Sequence, residues 1–265
     1  MSSVFSLGKL EIPVYGLLGA VGVLLGILYL FLYCMKRKKS FEDIIYVYVW
    51  AAVSAIIGAK LLYLLIESKH IFLLLKLYPD LKRDIFVSYI SGGFVFYGGL
   101  IGAIAGVILS SKYFSLSAKE QLNILIPTMP LIHGFGRLGC HIVGCCYGME
   151  YSGHLSVTYT SSEFAPNNVP LFPVQLTESL FDFALFFVFV ILVLIKKYED
   201  KFIYIYLVSY SIVRFALEFL RGDAYRGSFL NISVSQWISI FIWIACIALD
   251  ISPRLKDKKP KGHCE

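Results

Sequence analysis

The chain has 265 residues, 58% of them hydrophobic and 16% charged, with a mean hydropathy of +0.73 and a formal net charge of +6. A soluble domain is usually about half apolar and a quarter charged, so these values exclude an ordinary water-soluble fold and point to an integral membrane protein. The basic residues cluster in short loops and in the C-terminal tail, so the positive charge requires no nucleic-acid partner.

A helix needs roughly 20 apolar residues to cross the hydrocarbon core. On that criterion spans are predicted near 12–35, 44–67, 92–111, 122–146, 173–195, 202–220 and 234–251. The first run is too long for the apolar region of a signal peptide, and its charges follow it rather than precede it, so it reads as a retained span. The third, GGFVFYGGLIGAIAGVILS, is rich in small residues that let neighbouring helices approach closely. Pro127, Pro130, Gly134, Gly136 and Gly139 break the fourth. Such residues are tolerated at membrane depth where neighbouring helices or a cavity satisfy the freed backbone groups, which puts this span at the centre of a bundle. IFLLLKLYPDL, after span two, is expected in the membrane interface.

Lysines and arginines after the first, third, fifth and seventh spans fall on one side: Lys36, Arg37, Lys38 and Lys39; Lys112 and Lys119; Lys196, Lys197 and Lys201; Arg254, Lys256, Lys258, Lys259 and Lys261. The positive-inside rule makes that side cytoplasmic. The expectation is therefore an all-α integral membrane protein, a single polytopic domain over 1–265 with about seven transmembrane helices. Its N-terminus lies outside, 147–172 forms a small extracytoplasmic loop, and 252–265 is a basic cytoplasmic tail.

This topology collects polar residues in one layer: Tyr15, Lys60, Tyr97, Arg137, Gln175, Glu178, Arg214 and Glu218. A charged side chain near mid-bilayer costs several kcal/mol or more, so such residues usually line a protected cavity and mark function. Two guanidiniums there imply an anion, and the most available one is a lipid phosphate. Arg214, Glu218 and Arg221 have i, i+4, i+7 spacing, which places them on one helix face if the helix continues. Glu218 can then orient one or both arginines, leaving guanidinium edges for a ligand. Arg137 lies between Gly136 and Gly139, where a phosphate can approach the backbone; the competing reading is a salt bridge to Glu178 or Glu218 that holds helices together. Asp182 shares a face with Gln175 and Glu178 and reads as a structural contact.

Of the cysteines, Cys34 and Cys246 fall in spans and Cys264 in the tail, while Cys140, Cys145 and Cys146 cluster. With His133, His141 and His154 they raise the question of zinc, but the spacing is not that of a finger or ribbon. Small polarisable side chains in a tight Gly-Cys-Cys-Tyr-Gly turn are expected, with a disulfide open to them on the oxidising side, and no metal or cofactor is assigned.

The run HGFGRLGCHIVGCCYG, built around Gly136-Arg137-Leu138-Gly139, resembles the signature region of the bacterial prolipoprotein diacylglyceryl transferases. VYGLLGAVG, GAKLLYLL, GGFVFYGGLIGA, FPVQLTES, VRFALEFLRGD and SVSQWISI resemble further family motifs in the same order. The resemblance implies a multi-pass protein of the bacterial plasma (inner) membrane. Its donor is phosphatidylglycerol, its acceptor the lipobox cysteine of a prolipoprotein, and its by-product glycerol phosphate, with membrane lipids around it.

By the same resemblance Arg137 engages the headgroup, Arg214 and Glu218 form the essential Arg-x-x-x-Glu pair, and Tyr15 matches an important tyrosine of the first span. Gln175 and Glu178 belong to the Pro-x-Gln-Leu-x-Glu element. Arg221, Lys60 and Cys140 are placed with Tyr15, Gln175 and Glu178 among the substrate-binding residues, and Tyr97 with the catalytic ones. The best-studied branch has His at Tyr97, Asn at Cys140, Glu at Cys145, His at Phe172 and Arg at Lys60, so the Gly-Cys-Cys-Tyr-Gly form is a divergent branch. Other readings of the same residues are a phospholipid-dependent transferase with a different acceptor, a lipid or anion transporter, and a thiol-redox or metal protein.

Overall fold

Large apolar side chains face outward along the long helices. The computed structural model describes residues 4–7, 10–223, 228–230 and 232–256. Helix α1 (Val14–Arg37) exposes Leu24, Leu28 and Leu32, and α2 (Phe41–Leu77) exposes Val53, Ile56, Leu61 and Leu65. Apolar exteriors of this extent suit lipid, not water. Among the described residues α1, α2 and α7 (Val174–Leu194) are long and apolar enough to cross a membrane.

The chain forms two compact units, Met1–Tyr29 with Ile126–Glu265, and Leu30–Leu125. In the second unit, Ser40 caps α2 by accepting a hydrogen bond from the Asp43 N–H at 3.3 Å, and Glu42 and Asp43 complement the helix dipole in the first turn. The helix continues well past residue 67. No glycine or proline interrupts 68–77, so it runs until Pro79 opens a 3-10 turn. IFLLLKL is thus the end of α2, and at 1.5 Å per residue the helix is about 55 Å long, beyond the thickness of a hydrocarbon core.

Helices α3 (Lys82–Ser91), α4 (Phe96–Tyr113) and α5 (Ala118–Leu125) complete this unit. Gly58 of α2 meets Gly98 and Gly102 of α4 backbone to backbone: a Cβ on Gly58 would strike the Gly98 carbonyl oxygen, and one on Gly102 the Ser54 carbonyl oxygen. Small residues four apart permit this crossing, as the third apolar run suggested. Gly102→Ala is expected to force the helices apart and lower stability by about 1–3 kcal/mol. Thermal unfolding in detergent reads this, and an unchanged midpoint would contradict the packing.

In the first unit, a hairpin of β1 (Val4–Leu7) and β2 (Leu10–Pro13), paired Val4 to Pro13, leads directly into α1. Helix α6 (Thr128–Val143) starts after the predicted break at Pro127 and ends at Gly144, whose φ of +85° lets its N–H reach the Cys140 carbonyl at 2.9 Å. The loop to α7 contains the two-residue strands β3 (Val157–Thr158) and β4 (Pro170–Leu171). Helices α8 (Phe202–Glu218) and α9 (Val234–Lys256) follow, with a small β5–β6 hairpin (Ser228–Phe229, Ile232–Ser233) before α9. The basic tail beyond Lys256, with Lys258, Lys259, Lys261 and Cys264, lies outside the described residues.

Packing inside this unit sets the site. Gly134 lets the ring of Phe183 lie against α6, where a Cβ would sit 2.8 Å from Phe183 Cε1. Ser179 Oγ donates to the Gly134 carbonyl at 2.8 Å, so α6 and α7 are locked where their charged residues face one another. Phe189 packs at a tilt against Phe202 between α7 and α8, and Trp243 Nε1 donates to Ser211 Oγ at 2.8 Å between α8 and α9.

Candidate active site

His133 and Arg137 lie one above the other on α6, and Glu178 and Asp182 do so on α7, each pair at i, i+4 spacing. The helices run antiparallel here, and the residues meet as rungs. Arg137 Nε stands 3.0 Å from Glu178 Oε2, and His133 Nδ1 stands 3.0 Å from Asp182 Oδ2. Helix α8 adds Arg214, whose Nη1 is 3.6 Å from Glu178 Oε2 and whose Nη2 donates to Glu218 Oε2 at 2.7 Å. Tyr210 completes the group by donating its hydroxyl to Glu178 Oε1 at 2.9 Å.

Glu178 and Asp182 are fully buried, and Arg214 keeps only 7% of its surface. Burying a charge is costly unless it is paired, and Glu178 is paired on three sides. The Arg137–Glu178 contact is close without hydrogen-bond alignment, so the bond is electrostatic in character. Its Nε edge faces Glu178. The carboxylate therefore sets the position of both guanidiniums. The i, i+4 pairing of Arg214 with Glu218 matches the sequence reading, whereas the central role of Glu178 required the packing of α6 on α7.

Arg221 differs from expectation. Helix α8 stops at Glu218, so the i+7 position no longer lies on its face. The chain turns away because the Met149 N–H donates to the Leu220 carbonyl at 2.8 Å and the Gly222 N–H to that of Tyr147 at 3.1 Å. Arg221 is held by Asp223 instead, Nε to Oδ1 at 2.8 Å and Nη2 to Oδ2 at 2.7 Å. Burial works against its charge, but the bidentate carboxylate prevails and holds the guanidinium well above its ordinary pKa.

Tyr15 opens α1 and is 56% exposed, and its Cα would lie 3.1 Å from a Cβ on Gly139. That close approach is what Gly139 permits, so its role is packing against Tyr15, while Gly136 faces open space. Gln175 is buried and spends its amide on the Cys145 carbonyl at 2.8 Å, steadying the turn after α6. Cys140, Cys145 and Cys146 carry no disulfide. Lys60 and Tyr97 belong to the other unit. The Lys60 ammonium donates to the carbonyls of Tyr89 at 3.0 Å, Gly93 at 3.2 Å and Gly92, capping the end of α3, with Phe94 below it at 4.7 Å. Tyr97 is 37% exposed in the first turn of α4.

Sequence reasoning set Asp182 aside and weighed His133 only as a metal ligand. Their signal was there, four residues from Glu178 and Arg137 respectively, on the same faces. The loop anchors the same region: the Tyr159 hydroxyl donates to the His141 carbonyl at 2.8 Å. Burial first, then the neighbouring cysteines, pushes the Tyr159 phenol up to about 12. The fold thus favours the protonated phenol, so its contribution to stability is complete below the usual pKa near 10 and is lost as the pH rises toward 12. The difference between the absorbance titrations of wild type and Tyr159→Phe is expected to show one phenolate forming near pH 12; a difference step near 10 would contradict the burial.

The fold and site define a helical membrane protein with an arginine–carboxylate cluster enclosed between its helices. The family profile described as prolipoprotein diacylglyceryl transferase matches residues 2–251. The phosphatidylglycerol–prolipoprotein diacylglyceryl transferase of Clostridium tetani is 35% identical over 239 residues, covering 89% of this chain and 91% of its own length. The second such enzyme of Clostridium perfringens is 35% identical over 254 residues, 96% of each chain. That of Finegoldia magna is 31% identical over 252 residues, 93% of each. The chain belongs to the prolipoprotein diacylglyceryl transferase family.

Proposed function

We propose that this protein is a phosphatidylglycerol–prolipoprotein diacylglyceryl transferase of the bacterial plasma membrane. It spans the membrane about seven times, with its N-terminus outside, the 147–172 loop extracytoplasmic and its C-terminus in the cytoplasm. The single observation that carries the reading is the pair of guanidiniums, Arg137 of the signature run and Arg214 of α8, both held against Oε2 of buried Glu178.

In the reaction the acceptor thiol attacks the glycerol carbon that bears the phosphate. The S–C bond forms, the C–O bond breaks, and the electron pair passes to the departing phosphate, released as glycerol phosphate. Arg137 and Arg214, fixed before the substrate arrives, stabilise the negative charge growing on the phosphoryl oxygens, an effect typically worth a few kcal/mol per well-placed donor. The thiol has a reference pKa near 8.5 and must lose its proton. Glu218, bound to Arg214 on one oxygen, is the better placed carboxylate to accept it, because Glu178 is enclosed by Arg137, Arg214, Tyr210 and His133. Tyr15 closes over the signature turn, and Gln175 acts by holding that turn. The roles of Tyr97 and Lys60 rest on the resemblance.

The test is complementation of a strain depleted of its own transferase. The expected result is restored growth and lipidated prolipoproteins, abolished by Arg214→Ala. Membrane insertion without lipidation by the unaltered chain would overturn the reading.

A further inference from the structure

The turn after α6 gathers sulfurs that the sequence spaces unlike any finger or ribbon. The Sγ atoms of Cys140, Cys145 and Cys146 all lie within 4.8 Å of one another. Three sulfurs bound at about 2.3 Å to one tetrahedral ion stand roughly 3.8 Å apart, so closing around an ion requires shifts of about 1 Å. Cys140 is buried, while Cys145 and Cys146 are partly exposed, so the group is closed on one side and accessible on the other.

The backbone that presents these sulfurs is pinned. The Gln175 amide donates to the Cys145 carbonyl at 2.8 Å, the Tyr159 hydroxyl to that of His141 at 2.8 Å, and Ser162 Oγ to that of Val143 at 2.9 Å. Cys146 itself has a φ of +59°, a left-handed conformation that a residue with a Cβ adopts only where its surroundings impose it. Cationic groups stand around the sulfurs: Arg221 lies close enough to Cys146 to interact electrostatically, and Arg137 lies one helical turn before Cys140. Sulfur ligands select thiophilic ions, and three protein ligands with a further position left for substrate is the pattern of catalytic rather than structural zinc sites.

We propose that Cys140, Cys145 and Cys146 bind one divalent thiophilic cation of the zinc class, and that its fourth position takes the acceptor cysteine as a thiolate. This rests on the transferase reading above and deepens it. As the cation binds, the Cys140, Cys145 and Cys146 thiols release their protons to solvent and ligate it as thiolates. When the acceptor binds, its S–H bond breaks, sulfur keeps the electron pair and coordinates the cation, and the proton passes to Glu218 and then to solvent. The thiolate then attacks the glycerol carbon as the C–O bond to the phosphate breaks, and the new thioether, a weaker ligand, leaves the cation. No redox change occurs. Coordination supplies deprotonation that the carboxylates, committed to Arg137 and Arg214, are poorly placed to drive alone.

The test uses purified full-length protein in detergent, stripped with a chelator and titrated with Cd²⁺ as a spectroscopic probe. One equivalent is expected to give thiolate-to-cadmium ultraviolet absorption. Replacing Cys140, Cys145 and Cys146 together with serine removes that absorption, and Cys34→Ser with Cys246→Ser leaves it. A lipobox peptide strengthens the band, and one with serine for cysteine does not. Stripped wild-type protein is expected to transfer roughly 10- to 100-fold more slowly, with Zn²⁺ restoring the rate. No band in wild type, a band that survives in the triple variant, or full activity of the stripped protein would each overturn the proposal. The first and last need no variant to fold. A normal Cd²⁺ band with no transfer under any metal condition removes the transferase reading, and with it the bound acceptor thiolate, while leaving the cation site; the band tells the two failures apart.

Discussion

Arg137→Ala is expected to slow diacylglyceryl transfer by about 10²- to 10³-fold, the loss typical of one donor aimed at a developing anion. Arg214→Ala is expected to act similarly. Neither change removes every partner of Glu178, since Tyr210 and the remaining arginine stay in place, so the folded protein persists. Arg137→Lys keeps the charge but loses the planar fork, and an intermediate rate is expected. Initial rates on phosphatidylglycerol and a lipobox peptide, with melting followed in parallel, separate chemistry from folding. A wild-type rate in Arg137→Ala would contradict the assignment.

Glu178→Ala carries the largest expected cost in stability, about 3–5 kcal/mol, because it leaves the largely enclosed Arg137 without its carboxylate and takes from Arg214 one of its two. Glu178 is fully buried, so the variant leaves a cavity at the centre of the cluster. Combining it with Arg137→Ala should recover part of the loss, since Arg214 keeps Glu218 and the double variant removes the guanidinium that the single leaves without a carboxylate. Thermal unfolding in detergent checks this. A Glu178→Ala protein that melts with wild type would mean that the carboxylate is neutral or hydrated, and the cluster would need another account.

Much of the helical framework was legible because apolar runs ended at strong signals. The run near 173–195 became Val174–Leu194, and the break at Pro127 was visible in the prolines and glycines. The second run was cut short in the reading at 67, since Ser68, Lys69 and His70 lowered its hydropathy; hydropathy marks where lipid ends, not where hydrogen bonding does. The small hairpins were not legible, being set by the neighbours of short polar segments.

At the site, Arg214 with Glu218 was readable because i, i+4 contact follows from helix geometry alone. Arg137 with Glu178 remained one of two alternatives, because the choice depends on how α7 turns against α6, which Gly134 and Ser179 fix. Arg221 was misplaced by extending α8 one turn too far. The cysteines were read along the chain, where Cys140 stands five residues from Cys145, while the left-handed Gly144 and Cys146 fold that distance away.

The most direct measurement follows both products of one reaction. Purified protein is incubated with phosphatidylglycerol and a lipobox peptide, and peptide mass and free glycerol phosphate are quantified together. The account predicts a diacylglyceryl thioether on the cysteine and glycerol phosphate in one-to-one ratio, both lost in Arg137→Ala and Arg214→Ala proteins that melt as folded. Phospholipid turnover with unmodified peptide, or full transfer by those variants, would contradict it.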